Sequence, residues 1–181
     1  MKKILFAAVL MTSAYAVSAQ TNKGQWLAGG NVSFKSESNG PADAQKSTTF
    51  QLSPDAGYFF IDNLAAGIRL NYQSEKVKND PNGASTLFFA GPFVRYYFLP
   101  KAQKLNIFAD GSYGFGSEKY GTSQSLNGYS FMAGPALFLT PNTALEFSLG
   151  YQSLKLKDNP DRNNAFSINL GFQIHLGTAK K

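Results

Sequence analysis

Eight stretches of this chain alternate apolar and polar residues with a period of two. That period marks β-strands whose two faces meet different surroundings. The polar face carries Gly, Ser, Asn and Gln rather than Lys and Glu. A face open to water would be rich in charge, so the polar row is enclosed and the apolar row faces outward. The alternation places strands over 25–35, 50–60, 64–73, 88–98, 105–116, 129–139, 145–152 and 166–176. The last is the clearest, with Phe166, Ile168, Leu170, Phe172, Ile174 and Leu176 set against Ser167, Asn169, Gly171, Gln173 and His175. The fourth is the least clean, because Phe89, Phe93 and Tyr97 share the polar row with Gly91 and Arg95. Most of these strands reach the roughly 9–11 residues that a tilted strand needs to cross a bilayer.

The links alternate in length. Short ones fall at Ile61-Asp62-Asn63 and Thr140-Pro141-Asn142, with a somewhat longer one from Pro100 to Lys104. Long polar links run over 36–46, 74–84, 117–127 and 157–163. Short periplasmic turns and long external loops are the asymmetry of an outer-membrane barrel, and an even strand count returns both chain ends to the periplasm. Pro54, Pro92 and Pro135 each stand four residues after a Phe, at Phe50, Phe88 and Phe131. Proline inside a strand marks an edge or a bulge, so the three predict a repeated bulge that bends the wall. Outward aromatics gather at both strand ends. Tyr58, Phe60, Tyr96 and Phe98 lie beside the short links; Phe34, Phe50, Tyr72, Phe88, Phe115, Tyr129, Tyr151 and Phe166 lie towards the long ones. Two such girdles suit the bilayer interfaces.

The N-terminus changes the picture further. Lys2 and Lys3, the apolar run Ile4 to Met11 and the small residues Val17-Ser18-Ala19 read as a cleaved export signal over 1–19. The barrel domain then occupies 20–181. The apolar run is too short for a spanning helix. The net charge of +6 falls to +4 once Lys2 and Lys3 leave, without a basic cluster, and nothing points to nucleic acid. With no cysteine in the chain, neither disulfides nor a lipoprotein anchor can contribute, and a closed hydrogen-bonded ladder supplies the rigidity instead.

The row parity directs Asp55, Arg69, Arg95, Asp110 and Glu146, together with Lys35, into the lumen. Unpaired charge in an enclosed space is costly, so these groups are expected to form one hydrogen-bonded structural network. An eight-stranded barrel is just wide enough for side chains to fill it, which predicts a plugged polar interior. Catalytic, metal and cofactor sites find little support. His175 is the only histidine, on the lumen face near the periplasmic end and without a nucleophile motif beside it. The acidic links Asp158-Asn159-Pro160-Asp161 and Asn79-Asp80-Pro81-Asn82-Gly83 have the composition that turns demand and are read as turns rather than calcium sites. The sequon Asn31-Val32-Ser33 lies inside a strand.

On the strand openings Gly91-Pro92 and Gly134-Pro135, the strand end Arg95-Tyr96-Tyr97-Phe98 and the closing Asn169-Leu170-Gly171-Phe172, the chain resembles the small OmpA/OmpX-like outer-membrane β-barrel proteins, often labelled porin family, in the form common in Bacteroidota. The resemblance implies an all-β, eight-stranded antiparallel up-and-down transmembrane β-barrel in a Gram-negative envelope. It also implies outer-membrane lipid and the barrel-assembly machinery as partners, and no attached peptidoglycan-binding domain. Members commonly end on an aromatic residue that the assembly machinery reads, whereas this chain ends Gly177-Thr178-Ala179-Lys180-Lys181. The function expected is a non-enzymatic structural or surface-interaction role, with an unidentified external partner meeting the four long links. The alternatives are a small porin or ion gate, a lipid-modifying enzyme using His175, and a soluble lipocalin-like binder with the apolar row turned inward.

Overall fold

A computed structural model describes residues 21–39, 45–78, 83–100, 103–157 and 159–177, and within these the side chains of 35–39 and 45–46 are left aside. Eight strands follow one another: β1 (Trp26–Asn39), β2 (Gln45–Ile61), β3 (Leu64–Val77), β4 (Ser85–Tyr97), β5 (Leu105–Tyr120), β6 (Thr122–Thr140), β7 (Thr143–Leu156) and β8 (Asn163–Leu176). Each pairs antiparallel with its sequence neighbour, and β1 also pairs with β8, from Trp26–Leu176 to Val32–Leu170. The sheet is therefore closed. Closure leaves no unpaired edge, and this is what lets a β-structure sit in hydrocarbon.

The parity of the rows is as the alternation requires. On β8, Ile168 is 77% exposed while Gln173 is 1% exposed. Leu149 and Phe166 likewise face out, and Asn169, Gln173 and His175 are buried. The reverse arrangement, with the aliphatic row lining a ligand cavity as in a lipocalin, is ruled out. On β4 the irregular row has a simple cause: Phe89, Phe93 and Tyr97 all point inward and are buried. Bulk is needed there because glycines stand opposite. A Cβ added to Gly57 would lie 2.9 Å from Cζ of Phe93.

The strands outrun the predicted boundaries. Tyr120 pairs with Thr122, so β5 and β6 are joined through Gly121 alone, at φ 68°. The expected 117–127 loop is thus almost entirely ladder. Part of 36–46 is strand as well, with Lys35 to Asn39 pairing to Thr49 to Gln45, and β3 runs on to Val77, whereas 157–163 is a link as expected, with only Asn163 of its described residues in a strand. The alternation ends where both faces meet polar surroundings, but backbone pairing does not need it and continues. The acidic-link positions 79–82 and 158 lie outside the described residues, as does the export signal. The short turns are tight: Asp62 and Asn63 link β2 to β3, with Asn63 at φ 65°.

The repeated bulge is not present. Across Pro54 the β2–β3 ladder passes from Leu52–Tyr72 to Asp55–Arg69. Across Pro92 the β4–β5 ladder passes from Ala90–Phe115 to Phe93–Ser112. Across Pro135 the β6–β7 ladder passes from Ala133–Leu149 to Ala136–Glu146. In each case the ladder misses two rungs and resumes in the same register. The missing N–H of proline explains the gap; on its other side each proline still has a partner, in Gly30, Ile68 and Ile107. The register shifts fall instead beside the short turns, at Phe59/Ile61 and Phe138/Thr140.

Candidate functional site: the charged lumen

The lumen has three levels. Nearest the short turns is an apolar layer of Leu27, Phe59, Ala65, Tyr97, Phe108, Ala136, Phe138 and Ala144, all buried. His175 belongs to it. Its ring lies 5.4 Å from Phe59, 5.3 Å from Phe138 and 5.8 Å from Tyr97, centroid to centroid. Residues 21–25 cross beneath this layer: Gly24 N donates to the Phe59 carbonyl, Phe59 N donates to the Gln25 carbonyl, and Gln25 Nε2 donates to the Gly177 carbonyl.

The middle level is ionic. Antiparallel register sets Asp55 directly opposite Arg69, and Arg95 directly opposite Asp110. Arg69 donates to both Asp55 and Asp110. Nε and Nη2 reach Asp55 Oδ2 at 3.2 and 2.8 Å, while Nη1 and Nη2 reach Asp110 Oδ1 and Oδ2 at 2.8 and 2.6 Å. Arg95 donates through Nε and Nη2 to Asp110 Oδ2 at 3.0 and 2.8 Å, and through Nη1 to Glu146 Oε1 and Oε2 at 3.2 and 3.1 Å. All five predicted lumen charges are therefore in one connected cluster. Lys35 has its side chain outside the described set.

Two further residues close the circuit. The Tyr97 hydroxyl donates to Glu146 Oε1 at 3.0 Å, and Gln173 Nε2 donates to Asp55 Oδ1 at 3.0 Å. The chain of contacts thus runs from β8 through β2, β3, β5 and β4 to β7. Two guanidiniums face three carboxylates. Arg69 also lies 4.7 Å from the Phe93 ring centroid, and Arg95 lies 4.7 Å from that of Phe108, so each cation has a π-face as well as its anions. Gly171, across the ladder from Glu146, leaves room for it: an added Cβ would stand 3.4 Å from Glu146 Oε2.

Above the ions the lumen divides. A cavity of about 340 Å³ that reaches Arg69 is lined by Asn31, Gln51, Ser53, Asn71 and Asn169 of β1, β2, β3 and β8, and on its far side by Ser130 of β6 and Gln152 of β7. The side formed by β4 to β7 holds a second apolar cluster, Leu87, Phe89 and Leu126 with Leu154 and Leu156. Asn31, the sequon residue, is buried and directs its amide to Met132 sulfur at 3.7 Å. Tyr97 and Gln173 were visible in the sequence as inward positions. Nothing there showed that they touch charge, because contact across a lumen depends on strand stagger rather than spacing. The second apolar cluster went unread because Leu126, Leu154 and Leu156 lie in stretches with no clear alternation.

A closed antiparallel barrel, aliphatic outside and ionic inside, defines an outer-membrane barrel protein. The chain belongs to the outer membrane protein beta-barrel domain family, whose model matches residues 4–173. Its fold is similar to that of Neisserial surface protein A, at TM-score 0.58 and 19% identity over 84% of this chain and 97% of that one. It is also similar to the N-terminal β-barrel domain of Pseudomonas aeruginosa OprF, at TM-score 0.56 and 14% identity over 87% and 100% of the two chains. A third likeness is to the outer membrane protein OprG from Pseudomonas aeruginosa, at TM-score 0.57 and 11% identity over 89% and 99%. No curated protein sequence matches the chain.

Proposed function

We propose that the protein is a non-enzymatic integral barrel with a plugged lumen, serving the envelope as a rigid element and meeting partners through its long-link end. The short turns then face the periplasm. The observation that carries this reading is the ionic cluster, which ties six of the eight strands together across the lumen above an aromatic layer. Separating the ions would leave charges unpaired in a low-dielectric space, at a cost of several kcal/mol. A wall braced in this way resists opening. A purely structural role for Asp55, Arg69, Arg95, Asp110 and Glu146 follows, without a catalytic one. His175 supports the same reading, since it is fully buried among aromatic rings.

The long strands refine the interaction role. Where free loops were expected over 117–127, the paired extensions of β5 and β6 present a stiff hairpin. A partner meeting it binds a preformed surface and loses little ordering entropy. The leader would deliver the chain for export, and the barrel-assembly machinery would insert it. A gated pore for small ions is the second reading, favoured by the polar cavity that reaches down to Arg69. Planar-bilayer recording of the purified protein separates the two. The plugged reading expects no reproducible conductance, and steady single-channel steps would replace it with the pore.

A further inference from the structure

The outward wall across β4 to β8 is not smooth. Small residues at Ala109, Gly111 and Ala133 leave a furrow of about 910 Å³, bounded by Tyr96, Leu149 and Ile168 and almost wholly apolar. Towards the long links it ends in an aromatic rim. Tyr151 lies 5.1 Å from Phe166 and 6.4 Å from Tyr129, centroid to centroid. Directly above stands a cation held against the wall. The Arg162 guanidinium carbon sits 4.9 Å from the Tyr129 ring centroid; Nε donates to Ser153 Oγ at 2.9 Å and Nη2 donates to the Ser153 carbonyl at 3.0 Å.

These bonds use two of the five guanidinium N–H groups and leave three for a ligand. Among the described residues no carboxylate forms an ion pair with Arg162, although Asp161 is exposed beside it. The β7–β8 ladder ends at Leu154–Asn163, and Lys155 and Arg162 are the next residue beyond that last rung on either side. Two cations so placed add to the positive potential at this end of the wall. Their juxtaposition at the head of an apolar furrow is relieved by an anion carried on a hydrocarbon chain.

We propose that this wall is a binding site for a phosphate-bearing acyl lipid of the membrane leaflet at the long-link end. An acyl chain lies in the furrow, and the headgroup phosphate bridges Arg162 and Lys155. Charge complementarity selects an anionic lipid over a zwitterionic one. The proposal rests on the membrane-embedded reading of the outward wall.

The test uses the full folded protein in detergent micelles, with phosphatidylglycerol or phosphatidylcholine of matched chain length added and adducts counted by native mass spectrometry. One retained phosphatidylglycerol per barrel is expected, preferred over phosphatidylcholine by about tenfold, the scale of one charge-assisted contact. The double variant R162Q/K155Q should bring the two lipids close to parity, and Ala133→Phe should weaken retention of both by filling the furrow. Equal retention of the two lipids by the unaltered protein would overturn the site, as would a preference that survives R162Q/K155Q. Unchanged retention in Ala133→Phe would overturn the furrow's part in it. Heat-modifiable gel migration is checked first on every sample. Its absence in the unaltered protein would count against the embedded barrel itself, whereas an intact barrel without lipid preference defeats only the lipid site.

Discussion

Arg69 and Asp110 meet end-on in the lumen, where Nη1 and Nη2 donate to the two carboxylate oxygens at 2.8 and 2.6 Å. They belong to β3 and β5, strands that do not pair, so this fork spans the barrel interior rather than a ladder. Asp110 also accepts from Nε and Nη2 of Arg95, on the intervening β4. One carboxylate thereby holds two cations, and each cation reaches a further acid on β2 or β7.

Removing Arg69 should be costly. Arg69→Met leaves Asp55 without its main cation and Asp110 with one of two, and a broken buried ion pair costs about 3–5 kcal/mol. The expected result is a marked fall in the urea midpoint of the refolded barrel in detergent. A midpoint within error of the unaltered protein would mean that the cluster does not brace the wall.

Glycine tolerance should differ by face. A Cβ on Gly67 would overlap the Ala56 carbonyl oxygen and Gly57 Cα, both backbone atoms that cannot step aside. Gly67→Ala should therefore reduce or abolish the folded band on unheated gels. At Gly111 the nearest atoms belong to the Phe131 ring, 3.3 Å away on the outward wall, and that ring can swing. Gly111→Ala should fold almost normally, and equal behaviour of the two variants would contradict the register described.

Neighbouring positions on β8 should report opposite surroundings. The chain contains no cysteine, so Leu170→Cys and Asn169→Cys each supply a single labelling site. A fluorophore at 170 should be quenched by lipid-borne quenchers and one at 169 should be shielded from them. Equal quenching at both positions would invert or erase the assignment of the two rows.

The proline gaps should be repairable without moving the sheet. Pro92→Ala restores an N–H facing β5 while the flanking pairs Ala90–Phe115 and Phe93–Ser112 keep one register. Stability should change by no more than about 1 kcal/mol, the net scale of one hydrogen bond. A new slowly exchanging amide at position 92 should appear in hydrogen-exchange spectra, and a shift of the surrounding register would show that the proline shapes the strand after all.

The three prolines also show where reading residues alone goes astray. Their matching positions after Phe50, Phe88 and Phe131 were a true regularity, but a bulge and an interrupted ladder look alike in sequence. Only the pairs on either side distinguish them. The same holds for the long links. Polar residues at 117–127 were read as loop because alternation had stopped, whereas alternation records contrast between two environments and pairing needs only backbone.

What the residue order by itself determined was the row structure: which positions face lipid, which face inward, how many strands there are, and which five charges share the interior. These follow from a two-residue period and the cost of burying charge, both local properties. The tertiary structure decided who meets whom. Barrel closure and stagger bring Arg69 to Asp110, Tyr97 to Glu146 and Arg162 over Tyr129. Such contacts depend on how strands slide and curve around a common axis, and no repeat along the chain encodes that distance.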